Sequence, residues 1–169
     1  VLDVCPALPS SPAVVQAAVD RTAHWAQRAR RSFLAGAEAR AGRGLHQSQF
    51  GISQGGIDAS LRAESAQRTV EVGFDGYAIG GLSVGETRQE MLPALAAAIE
   101  HLPDDQPRYL MGVGDPAAIV EAVGLGVDLF DCVLPTRHAR HGTVLTGTGK
   151  LSIKRAEYER DERPLDESC

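Results

Sequence analysis

Cysteine is scarce in this chain of 169 residues: Cys5, Cys132 and Cys169 form an odd and scattered set. That excludes a disulfide framework and favours a reducing compartment. No apolar run approaches the roughly 18 residues that a membrane span needs, and no secretory leader pattern opens the chain. An excess of cations is missing too, since 17 Lys and Arg stand against 22 Asp and Glu for a formal net charge of −5. Bulk-charge binding of nucleic acid is thereby excluded, and a local basic patch is not. The remaining composition, 43% hydrophobic and 23% charged, is globular and argues against long disorder. A soluble cytoplasmic protein without membrane association is expected, with about one domain's worth of chain. The chain opens on Val1-Leu2-Asp3 without methionine and stops at Cys169 after Pro164-Leu165-Asp166-Glu167-Ser168. Both ends read as cut, so a piece of a longer protein is expected.

Short apolar runs alternate with longer helical patterns. Ser11-Pro12 sets a capping residue before proline at a first helical position. Val14, Val15, Ala18, Val19, Trp25, Ala26 and Ala29 then recur at helical spacing, predicting one helix to about Leu34. After a glycine-bearing break over Ala39–Gly44 come a strand at Phe50–Ser53, a helix at Ile57–Val72 and a strand at Gly76–Gly80. A helix over Glu86–His101, a strand over Arg108–Val113, a helix from Asp115-Pro116 and a strand over Val127–Phe130 follow. Val1-Leu2-Asp3 reads as the tail of an earlier strand, and Thr143–Thr146 with Leu151–Ile153 as a hairpin around Gly147-Thr148-Gly149.

Repeated strand, glycine loop and helix predict βαβ units on a parallel sheet, either doubly wound or closed into a barrel. The dinucleotide fingerprint is weak: Gly112-x-Gly114 is followed by Ala117 where a third glycine belongs. Unusual residues instead gather after successive strands, where a barrel carries its chemistry: Asp3, Gln54-Gly55-Gly56, Gly80-Gly81, Met111-Gly112 and Asp131. A TIM (β/α)8 barrel takes about 250 residues. The expected fold is therefore α/β, a partial TIM barrel of roughly the second half, with a β-hairpin insertion near the C-terminus. Residues 1–169 are expected to form a single partial barrel domain.

Asp131 follows Phe130 at the mouth of a strand, a place suited to nucleophilic or acid–base work. A helix cap or a loop salt bridge explains it about as well from spacing alone. Asp128 is the competing carboxylate. Asp3 alone is more often a loop carboxylate than a ligand. Gln54 before two glycines, and Gly80-Gly81, mark places where backbone comes close to something flat; a plain turn is the bland alternative. Met111 with Tyr77 or Tyr109 is a candidate sandwich for a ring, although a lone Met is more often core. Thr136-Arg137-His138-Ala139-Arg140-His141-Gly142 concentrates cations in an acidic chain and suits a phosphate backbone, against the alternative of a solvated loop. His138 and His141 lack a third nearby ligand, and Cys169 alone is not a metal site.

Taken together, Phe50-Gly51-Ile52-Ser53-Gln54-Gly55-Gly56, the run Gly73 to Glu86, Arg108-Tyr109-Leu110-Met111-Gly112-Val113-Gly114 and the run Asp128 to Arg137 resemble the tRNA-guanine transglycosylase (queuine tRNA-ribosyltransferase) family, bacterial type. They occur in family order and cover nearly the whole chain. The resemblance implies a TIM-barrel pentosyltransferase of queuosine biosynthesis that exchanges guanine at the tRNA wobble position for the 7-deazaguanine base preQ1. It makes Asp131 the nucleophile of a covalent aspartyl–ribose intermediate. Asp3 and Gln54 match the residues that bind the base edge, Gly81 and Leu82 those that supply backbone groups, and Met111 the one that stacks. Gly112, Val113, Gly114, Asp115, Pro116, Ala117 and Ala118, with Thr136, Arg137, His138, Ala139 and Arg140, match segments that hold RNA. Cys169 matches the first ligand of a structural zinc (Zn) site, in a subdomain beginning near 164–169. A tRNA with a G-U-N anticodon, preQ1 or guanine, and a second copy in a homodimer are the implied partners.

Val84 and Cys5 resemble members that use preQ1; queuine users of eukaryotes carry glycine at the first, and a branched side chain narrows the pocket. The family's Asp-Ser-Gly-Gly segment with its general base is absent, as are the remaining zinc ligands. Val4 stands where many relatives carry Glu, and His138 and His141 where many bacterial ones carry other polar residues. The piece alone is expected to be inactive and poorly soluble, because partial barrels expose sheet edges. A non-catalytic relative or RNA-binding partner subunit is the alternative, disfavoured by an aspartate at the nucleophile position.

Overall fold

A computed structural model describes residues 2–167. The chain divides into two compact units, the first ending at Asp131 and the second beginning at Cys132. In the first unit, strands β1 (Phe50–Ser53), β2 (Gly76–Ile79), β3 (Arg108–Leu110) and β4 (Leu129–Phe130) lie side by side in sequence order. All neighbours are parallel, as helical crossovers require. Among the described residues neither outer strand, β1 nor β4, has a further strand beside it. Leu2 and Asp3 join no ladder, contrary to the expected strand tail; Val4 N–H donates instead to Thr22 Oγ1 at 3.0 Å.

Local chemistry sets the helix starts. Helix α1 (Pro12–Ala35) begins with proline at its first position, where a missing N–H costs nothing, and buries Val15, Ala18, Val19, Thr22, Ala23 and Ala26. The break that follows contains a short helix, α2 (Ala37–Ala41), ahead of its glycine turn. Asp58 caps α3 (Ala59–Val72) by accepting from the N–H groups of Ser60 and Leu61. Thr87 and Glu90 form a reciprocal capping box at α4 (Arg88–Ile99), which starts the helix two residues later than its apolar pattern does. Asp115 accepts from Ala118 N–H ahead of Pro116 in α5 (Pro116–Gly124).

One face of the sheet packs on these helices. Tyr77, Ile79 and Leu110, with Phe130 at the margin, meet Ala66, Met91, Leu95 and Ala122 in the principal apolar core. Strand alternation turns Phe50, Ile52, Ala78, Tyr109 and Leu129 to the opposite face. There the Phe50 and Tyr109 rings meet edge to face, while Leu129 remains 45% exposed.

The second unit holds α6 (Leu134–His141) and an antiparallel hairpin of β5 (Thr143–Thr146) and β6 (Gly149–Ser152). Its second strand starts two residues earlier than Leu151, because Thr146 pairs with Gly149 across a two-residue turn. The basic run expected as a loop is helical. Pro135 lies in the first turn of α6, His138, Arg140 and His141 complement the carbonyl end, and Gly142 closes it in the left-handed conformation.

Candidate active site

Ser53, Ile79, Leu110 and Phe130 pair in a single row across the sheet. The residues that directly follow the four strands are Gln54, Gly80, Met111 and Asp131. Alternation puts all of them on the face away from the helices, at the carboxyl ends of parallel strands and about 4.8 Å apart from strand to strand. Open α/β sheets and barrels alike place ligands at this edge.

Asp131 is exposed, and its Oδ1 accepts from Tyr109 Oη at 2.7 Å and from Gly112 N–H at 2.8 Å. Gly112 reaches this position with φ at +76°. These donors, the Gly112 amide foremost and then the Tyr109 hydroxyl, hold the carboxyl below the usual carboxylate range. Burial and the neighbouring Asp131 push the Tyr109 phenol up to about 12, so it stays a donor across neutral pH. Both bonds fall on Oδ1, and Oδ2 accepts from neither donor. An ionised carboxylate with one oxygen anchored is suited to attack an electrophilic carbon. Asp128 directly precedes β4, and its Oδ2 accepts from Arg108 N–H at 2.8 Å. It is a structural cap.

Gln54 is fully buried, and its backbone N–H donates to Ser65 Oγ at 2.8 Å. Its Nε2 donates to Asp3 Oδ2 at 2.6 Å, across 51 residues of sequence. Its Oε1 is buried with no hydrogen-bond partner among the described residues, an acceptor with unused capacity. Gly80 and Gly81 make room for this amide: a Cβ on Gly81 would come within 2.1 Å of Gln54 Oε1, and one on Gly80 within 2.7 Å of Nε2. Gly81→Ala will therefore displace Gln54 and strain a position at φ +68°, a backbone cost of about 1 kcal/mol for a non-glycine residue. Titration of the purified protein should show a ligand that contacts the Gln54 amide binding on the order of tenfold more weakly to Gly81→Ala.

Beyond Gly81 the Leu82 side chain is core, leaving only its backbone for the pocket. Ser83 takes a positive φ of 63°. The Glu86 carboxylate holds this turn, accepting from Ser83 N–H and from Val84 N–H at 3.0 Å. Met111 sits half-buried at the rim, whereas Tyr77 lies in the core on the helix side and sandwiches nothing. In the next loop Val113 and Ala118 are also core side chains, while Gly112, Asp115, Pro116 and Ala117 are exposed and Gly114 is half-buried. Thr136, Arg137, Ala139 and Arg140 are exposed on α6 in the second unit, with His138 half-buried. Among the described residues no group of His, Cys, Asp and Glu could hold a metal ion, and Cys169 lies outside them.

Two residues at this edge went unseen or undervalued in the sequence. Tyr109 counted only as a ring, yet its hydroxyl anchors Asp131. Arg62 gave no signal at all, being one polar residue on an amphipathic helix; it is fully buried beneath Gly80 and Gly81.

A parallel α/β sheet that gathers a buried amide bonded to one carboxylate, and an anchored aspartate, at its carboxyl edge outlines a candidate ligand site with a candidate nucleophile. The family profile of queuine tRNA-ribosyltransferase matches residues 1–169, the whole chain. The chain belongs to that family. It is 51% identical over 169 residues to the queuine tRNA-ribosyltransferase of Solidesulfovibrio magneticus, covering all of this chain and 43% of that protein. Against those of Moorella thermoacetica and Caulobacter vibrioides it is 50% and 49% identical over 167 residues, covering 99% and 98% of this chain and 42% of each relative. The chain thus spans less than half the length of the relatives it matches. No helix among the described residues is long and apolar enough to cross a membrane.

Proposed function

We propose that the protein to which this chain belongs is a cytoplasmic tRNA-guanine transglycosylase of the bacterial type, exchanging guanine at the wobble position of G-U-N tRNAs for preQ1. The observation that carries this reading is that an anchored, ionised Asp131 and the hydrogen-bonded Asp3–Gln54 couple lie along the same carboxyl edge of one sheet. The four strands form part of a TIM barrel, the open sides of β1 and β4 joining further strands and the helix-free face turning inward. The second unit's hairpin is an insertion in that barrel, and residues from 164 onward lead into the zinc-binding subdomain.

Asp131 Oδ2 attacks C1′ of the ribose, the C1′–N9 bond breaks, and the electron pair leaves on guanine, where a proton supplied from outside this chain neutralises it. N9 of the incoming base then attacks C1′, its proton passing to a base supplied from outside this chain. The C1′–O bond to the carboxylate breaks with the electron pair returning to Asp131, as in a retaining glycosidase. The Asp3 carboxylate and the free Gln54 Oε1 are acceptors for the ring N–H and exocyclic amine of guanine. Val84 narrows the pocket beside them and favours the smaller base. Met111 stacks on the base, and Gly81 and Leu82 offer backbone groups.

The exposed backbone from Gly112 to Ala117, with Ala118 anchoring it, and the cations of Thr136 to Arg140 take the RNA. Cys169 supplies the first thiolate of a structural zinc; one thiolate is not a site, and no step above uses the metal. A homodimer is the expected assembly. The test is incorporation of labelled guanine into a G-U-N tRNA by the complete protein. Absence of incorporation while the tRNA binds would favour the RNA-binding subunit instead.

Tyr109→Phe should lower kcat roughly five- to tenfold, the loss of one hydrogen bond to an ionised group. It should also move the acid limb of the pH profile upward. The wild-type Asp131 carboxyl lies below its ordinary 3.8, so both activity and its stability contribution are complete above that value and fade as pH falls through the folded pKa. Removing the phenol raises the folded pKa toward 3.8, with the Gly112 amide still in place. An unmoved acid limb would show that Tyr109 does not set the charge of Asp131.

A further inference from the structure

Arg62 heads the largest fully buried side chains among the described residues. Its guanidinium donates to three carbonyls, Nε to Gly56 O at 2.7 Å, Nη1 to Gly80 O at 2.6 Å and Nη2 to Gly81 O at 2.9 Å. No carboxylate hydrogen-bonds to it among the described residues. Burying a cation on carbonyls alone is costly, and tying two loops together requires no charge. What the carbonyl capture does is orient peptides. In a trans peptide C=O and N–H point oppositely, so the Gly80–Gly81 and Gly81–Leu82 units turn their N–H groups away from Arg62. The Gly81 N–H lies on the side of the Cys5 sulfur, and the position of a Gly80 Cβ lies 3.5 Å from Asp3 Oδ2. This side of the loop therefore faces Asp3 and Gln54. A full positive charge behind the carbonyls also polarises the peptides and strengthens their N–H donors.

We propose that Arg62 is a positioning residue, locking and polarising the two peptides after β2 so that the N–H groups of Gly81 and Leu82 bind the 6-carbonyl oxygen of a purine-type base. The proposal rests on the base-exchange reading above and deepens it. Charge that develops on the departing base delocalises onto that oxygen, so the same donors favour its departure, as in an oxyanion hole.

The test measures base exchange by the complete protein, unaltered and as Arg62→Gln and Arg62→Lys, with guanine and with 2-aminopurine, which lacks the carbonyl, as competing ligands. The unaltered protein should prefer guanine. Folded Arg62→Gln should show a base KM raised at least tenfold, an unchanged tRNA KM, and a preference for guanine over 2-aminopurine reduced at least fivefold; Arg62→Lys should recover part of each. A purely structural role would weaken both ligands equally. If Arg62→Gln does not fold, Arg62→Lys decides, with a base KM raised threefold or more and a reduced preference supporting the role. Exchange by the unaltered protein with either folded variant matching its preference overturns the role of Arg62 alone. No exchange by the unaltered protein overturns the base-exchange reading itself and this role with it.

Discussion

Asp131→Asn in the complete protein should reduce base exchange by on the order of 10⁴-fold or more, the scale on which enzymes lose a covalent nucleophile. The substitution is nearly isosteric, and its amide oxygen can still accept from Tyr109 and Gly112. Geometry is kept while the charge and the attacking lone pair are lost. Asp128→Asn is the matched control. Its side chain accepts a single backbone N–H, from Arg108, at the far end of the strand, and an asparagine oxygen retains that bond. Stability should fall by less than about 1 kcal/mol, with exchange close to wild type. A large loss for Asp128→Asn with activity kept in Asp131→Asn would reverse the roles given to the two carboxylates.

Gly55→Ala should destabilise the protein by at least about 3 kcal/mol in chemical denaturation, through overpacking added to backbone strain. Gly55 has φ at +140°, and an added Cβ would lie 2.7 Å from Arg62 N, 2.9 Å from Leu61 C and 3.0 Å from Arg62 Cα. Those atoms are backbone in the first turn of α3, held in place by the Asp58 cap. Relief therefore demands moving the helix away from β1, which shifts Arg62 and Gln54 together. Gly124 offers the contrast, since a Cβ there meets nothing within 4 Å and the residue ends α5. Gly124→Ala should be neutral or stabilising by up to about 1 kcal/mol. Equal losses at the two glycines would mean that the packing of α3 against the loop after β1 is not as described.

Much of the architecture was legible because its signals are local and repeated. Alternation of short apolar runs with helical patterns marks parallel βαβ units, and Ser11-Pro12 and Asp115-Pro116 each announce a helix start. The glycines after the strands pointed to close approach, and Gly81 does leave the space that Gln54 fills. What escaped notice depends on contacts distant in sequence or on short segments. Leu2-Asp3 resembled a strand end because apolar content alone cannot supply a ladder partner. The helix at Leu134–His141 lacks apolar periodicity over its 8 residues. Tyr77 and Tyr109 are alike by composition, and strand parity sends one into the core and the other to Asp131. Arg62 is the clearest case, since its role arises only when the loops after β1 and β2 converge on it.

The most direct measurement of the central claim locates the covalent bond. The complete protein is incubated with a G-U-N tRNA, quenched in denaturant, digested with protease and nuclease, and analysed by tandem mass spectrometry. A ribose adduct on the peptide spanning Asp128 and Asp131, with fragment ions assigning it to Asp131, is the predicted result. An adduct on Asp128 or Asp3, or turnover with no adduct at any stage of the reaction, would contradict the account.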